Sequence, residues 1–149
     1  MGHSLYADLP EAMATDYFSP KKAFNFIYNS ASGQFAGWTT MPEEYRGKGA
    51  AGALSWAGLG EMVEEAEIWS GELNPGAVIQ VWESQQGFED VQAGLPEGQY
   101  ELGHSFIFLN YARNEAGEIT GMNIADQGYQ SNDPLAQDEW EVWFAANVP

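Results

Sequence analysis

The sequence predicts an α+β domain, with N-terminal helices packed on an antiparallel β-sheet. Three observations carry that expectation. Helical spacing and capping signals gather in the first half of the chain. Apolar runs bounded by turn residues gather in the second half, and a short turn between two of them makes those two antiparallel. The chain has 149 residues, 44% of them hydrophobic and 14% aromatic, which is enough for one packed core. One domain over residues 1–149 is therefore expected, with residues 1–18 as an irregular lead-in.

Ser19-Pro20 is a helix-start signal, because proline suits the first helical turn. Lys21 to Tyr28 follows, with Phe24, Ile27 and Tyr28 at helical spacing. Ser30 can cap a further helix. Pro42-Glu43-Glu44 opens a helical turn, and Gly47, Gly49 and Gly52 break the pattern. Ala53 to Glu64 reads as a helix burying Leu54, Ala57, Met62 and Val63. Leu73-Asn74-Pro75-Gly76 is a turn into a strand over Ala77 to Trp82.

Residues 83–101 read as a polar loop rich in Gly and Gln. His104 to Tyr111 is apolar almost throughout, which predicts a central strand. Asn114-Glu115-Ala116-Gly117 is a hairpin turn, and Glu118 to Asp126 is the returning strand. Glu139 to Phe144 is the last strand.

The formal net charge is −17, from 22 acidic and 5 basic side chains. Such a chain repels phosphate backbones and anionic membranes, so nucleic acid is not an expected partner. The acidity serves solubility, or attracts a basic protein partner. No apolar run is long enough to span a bilayer, so membrane insertion is not expected. The N-terminus lacks the basic-then-apolar pattern of a cleaved signal, so export or injection would use a route without one, or a signal already removed. With no cysteine in the chain, disulfides, thiolate metal sites and a thiol nucleophile are excluded.

The chemistry-bearing residues come from hairpin geometry. Antiparallel partners have residue numbers of constant sum. A turn centred at Glu115 sets His104 across from Asp126, with a sum of 230. A carboxylate there would fix the imidazole tautomer and stabilise the protonated ring. Gln127 and then Asn123 are the backups for the orienting role. Among the tryptophans, Trp82 is the one expected near a cleft, as a substrate contact; Trp38, Trp56 and Trp69 read as packing. His3 reads as a solvated terminal residue, and Glu64, Glu65 and Glu67 as a solvated helix end. Asp126, Asn132, Asp133 and Asp138 lack EF-hand spacing, and the glycines at 47, 49 and 52 lack the Lys-Ser/Thr of a phosphate loop. No metal and no cofactor are expected.

The segment Asn74-Pro75-Gly76-Ala77-Val78-Ile79-Gln80-Val81-Trp82, a loop, then Gly103-His104-Ser105-Phe106-Ile107-Phe108-Leu109 resembles the second half of NlpC-type and CHAP-type cell-wall amidases. These are bacterial members of the papain-like superfamily, and the likeness covers roughly residues 28–130. The resemblance implies a papain-like fold and cleavage of peptide or peptidoglycan amide bonds. It implies His104 as general base and acid, and Asp126 as its orienting residue. It also implies a nucleophilic Cys at a helix N-terminus, followed by Ser-Gly. The matching positions are Ala31-Ser32-Gly33, so Ala31 stands where that Cys would be. Ala77 stands where the family usually has Asp.

Three explanations of Ala31 fit: a nucleophile replaced, a nucleophile naturally lost, or an oxygen nucleophile from Ser30 or Ser32. The alternative to the hydrolase is a non-catalytic acidic cargo, effector or binding protein that keeps the fold. Loading into a bacterial injection machine would suit that reading.

Overall fold

The computed structural model describes residues 42–93, 103–126 and 133–149. The expected lead-in, the helix of Lys21 to Tyr28 and the cap at Ser30 lie outside them. Among the described residues, five strands form one antiparallel sheet: β1 (Glu61–Val63), β2 (Val78–Trp82), β3 (Gly103–Arg113), β4 (Ile119–Ala125) and β5 (Val142–Asn147). Their spatial order is β1-β5-β2-β3-β4. Three short helices accompany them: α1 (Gly49–Trp56), α2 (Glu65–Ile68) and α3 (Gln85–Gln92). The α+β class thus holds. None of these helices is long and apolar enough to cross a membrane.

The order of elements corrects the sequence expectation in three places. The helix expected over Ala53 to Glu64 runs from Gly49 to Trp56 instead, and Met62 and Val63 belong to β1. Gly58, at φ +71°, turns the chain just past the helix end, where a left-handed glycine is the usual stop. Three residues make a poor strand alone; pairing Glu61, Met62 and Val63 with Asn147, Ala146 and Ala145 is what orders them. The polar segment after β2 is partly helical. Ser84 caps α3 by accepting from the Gly87 amide at 3.0 Å. Gln85 and Gln86 then bond Glu89 and Asp90 one turn on, while Phe88 is buried. Helices and strands therefore interleave.

Partner residues in adjacent strands share a face, which sorts the side chains. Val81 pairs with both His104 and Trp143, and Ile79 with both Phe106 and Ala145. That face holds the main core, where Ile68, Leu73, Phe108, Met122 and Leu135 join them. Gln80 pairs with Ser105 and Phe144, so these three lie on the opposite face. There α1 packs on β2 and β5, and Phe88 of α3 meets Phe144 at 4.6 Å between ring centroids. Lys48, at the start of α1, lies over the Phe144 ring at 5.0 Å, and burial lowers its pKa. Covered on both faces and flanked on both edges, β2 is the central strand; β3 is next to it.

The loop between α2 and β2 is tied to β3 by one hydroxyl. Tyr111 donates to the Ile68 carbonyl at 2.5 Å and accepts from the Leu73 amide at 3.1 Å. Burial raises the Tyr111 pKa.

Candidate active site

The site grows out of the β3–β4 hairpin. Arg113 pairs with Ile119, Asn114 accepts from the Gly117 amide, and the pairing sum is 232, two more than a turn centred at Glu115 predicts, which places the centre one residue later. Further along, Thr120 is an extra residue in β4 and Leu109 an extra residue in β3. These two bulges lie on opposite strands and cancel, so Ile107 pairs with Ala125 at the original sum of 232. One residue on, that register sets Asp126 beside Phe106, diagonal to His104 and on the same face. Because 230 and 232 have the same parity, Asp126 keeps the face of His104; only between the two bulges, where the pairs sum to 233, is the alternation shifted.

The diagonal is short enough. His104 Nε2 lies 2.7 Å from Asp126 Oδ2. The Asp126 side chain is 2% exposed and the His104 side chain 22%. A carboxylate accepts but does not donate, so this bond draws the imidazole proton to Nε2. The neutral ring then carries its lone pair on Nδ1, and proton exchange with a reacting group runs through that nitrogen. The arrangement is a base held in one tautomer at the end of a strand.

Its surroundings are aromatic. Phe106 lies two residues along the same face, with its ring centroid 6.1 Å from that of His104. Trp140 runs nearly parallel to the imidazole, at an interplanar angle of 12° and 6.3 Å between centroids. Nothing local in the sequence marks Trp140 as a neighbour of His104; only the path from β4 to β5 brings it there.

The remaining sequence-predicted residues divide in two. Ala31, Ser30 and Gln127 lie outside the described residues. Trp82 is described, and it belongs to the opposite face. It is 1% exposed, its indole N–H donates to the Gly47 carbonyl at 2.7 Å, and Gly103 packs directly on its ring. Trp82 is thus an interior ring, and the sequence expectation of a cleft contact is corrected: β2 is covered on both faces. Asn123 bonds Asn110 across the exposed face and takes no part in orienting His104. Among the described residues no group of three His, Asp or Glu converges as a metal site would.

Comparison of the chain with models of protein families, with curated proteins and with solved structures finds no match.

Proposed function

We propose that this chain is a papain-like amidase or peptidase domain acting on peptide or peptidoglycan amide bonds. His104 is its general base and acid, Asp126 orients it, and position 31 is the seat of the nucleophile. The observation that carries the reading is the 2.7 Å contact between His104 Nε2 and the buried Asp126 carboxylate. A histidine clamped in this way is arranged for repeated proton transfer, which acyl transfer needs in both of its halves. With Ala at position 31 the chain lacks the thiolate, so it would hold the base without the nucleophile.

The test restores the missing group. Ala31→Cys should cleave peptidoglycan fragments or a peptide substrate, and adding His104→Ala should abolish that cleavage. No turnover of either substrate class would overturn the hydrolase reading.

The second reading, an acidic cargo, effector or binding protein that retains the fold, is favoured by two facts. The chain has no cysteine, and its charge is −17. Salt-sensitive binding of a basic protein by the unaltered chain would support it.

A further inference from the structure

The path from β4 to β5 has a consequence for His104. Leu135 pairs with Met122 on the outer edge of β4 through two backbone bonds, of 2.8 and 2.9 Å. Val142 pairs with Trp82 of β2, on the far side of β3. Between them the chain must cross β4 and β3. It does so on the face that carries His104, because Trp140 lies against the imidazole there. This crossing segment is fixed at both ends. The buried Leu135 anchors the start, and the Glu141 amide donates to the Trp82 carbonyl at 3.2 Å at the finish. Trp143 pins the middle: its indole N–H reaches the carbonyls of Gln137 at 3.1 Å and Trp140 at 3.0 Å. Trp143 is itself held edge-on between Trp69 and Phe106.

We propose that Trp140 is a positioning residue for the His104–Asp126 pair, and that the crossing segment 134–141 exists in part to present it. The parallel indole limits rotation of the imidazole out of the plane that reaches Asp126. It also helps to keep water from the Nε2–Oδ2 bond, consistent with an Asp126 side chain only 2% exposed beside a partly exposed histidine. The inference rests on the proposed catalytic reading of this pair, but its test requires no catalysis.

The chain has only two histidines, His3 and His104, so a His3→Gln background leaves one imidazole to observe by NMR. In that background the neutral ring should be almost wholly the Nε2–H tautomer. Its N–H should exchange slowly with water, and the imidazole carbon-bound protons should show cross-relaxation with the Trp140 indole. Trp140→Leu should speed Nε2–H exchange roughly tenfold and mix the tautomers, while Trp140→Phe restores most of the original behaviour. A folded Trp140→Leu protein with unchanged tautomer and exchange overturns the proposal. If that variant does not fold, the parent spectrum decides: no cross-relaxation with Trp140, or exchange as fast as free imidazole, overturns it equally. Failure of Ala31→Cys to hydrolyse substrate would sink the hydrolase reading and leave these spectra unaffected.

Discussion

Removing His104 should cost more stability than its partly exposed position implies, and a double-mutant cycle with Asp126 isolates the reason. The perturbations are His104→Ala, Asp126→Ala and both together. A hydrogen bond to a charged group contributes about 1.5–3 kcal/mol net. The upper part of that range fits a carboxylate 2% exposed at a 2.7 Å contact, and the 22% exposure of the imidazole pulls the expectation toward about 2 kcal/mol. The singles should be unequal. His104→Ala leaves a buried carboxylate deprived of this imidazole, whereas Asp126→Ala leaves an imidazole that can turn toward water. The assay is urea denaturation read at the midpoint, with the slope checked for constancy. For a chain of this size the same coupling amounts to roughly 4–8 °C in Tm. If the two single effects add to within about 0.5 kcal/mol of the double, the pair is not coupled and the reasoning about the site fails.

Three further outcomes follow from the described packing. Tyr111→Phe strands the Ile68 carbonyl and the Leu73 amide and should cost about 1–3 kcal/mol by urea denaturation, with no loss if the two groups find water. The same substitution should blunt alkaline destabilisation. Burial raises the Tyr111 pKa, so the stability it gives is complete below the ordinary tyrosine value of about 10 and is lost as pH rises through the folded value; a stability–pH profile unchanged by Tyr111→Phe would refute this. Gly58→Ala, at φ +71° with open space around it, should cost only about 1–2 kcal/mol of backbone strain. Gly49→Ala, at φ +51°, adds a methyl that overlaps the fully buried Gln80 Oε1 and should cost about 1–3 kcal/mol more; equal losses at the two glycines would show that Gln80 can move aside.

The strands of the second half were legible because their signals are local. Ala77 to Trp82 and the hairpin around Asn114 to Gly117 are bounded by turn residues, and the structure moves their ends by one or two residues; the last strand, expected over Glu139 to Phe144, lies three residues further on, at Val142–Asn147. The His104–Asp126 contact was legible through parity rather than through register. The turn centre was one residue off, and two bulges intervened, but neither error changed the face. What escaped was decided by distant contacts. β1 is a strand only because β5 lies beside it. Trp82 looked like a cleft residue because a strand before a loop often borders one, and only its two covered faces show otherwise. α3 escaped for another reason. Ser84 as its cap and the Gln85/Glu89 and Gln86/Asp90 spacing were all present, but an abundance of Gly and Gln was read as loop composition. Trp140 carries no local mark at all, since its role depends on which face the chain crosses.

The cancelling bulges at Leu109 and Thr120 set a rule for change in this hairpin. Losing either one would rotate every side chain beyond it, toward the open end, by half a turn about the strand. Asp126 would then point to the opposite face from His104 although neither residue had been altered. Insertions and deletions within either strand obey the same arithmetic: a single one separates the pair unless a compensating bulge forms, whereas a change in the Asn114–Gly117 turn alters only the loop length. Lineages carrying this hairpin should therefore gain and lose in-strand residues in compensating pairs, with the imidazole and carboxylate as the record of which paths stayed open.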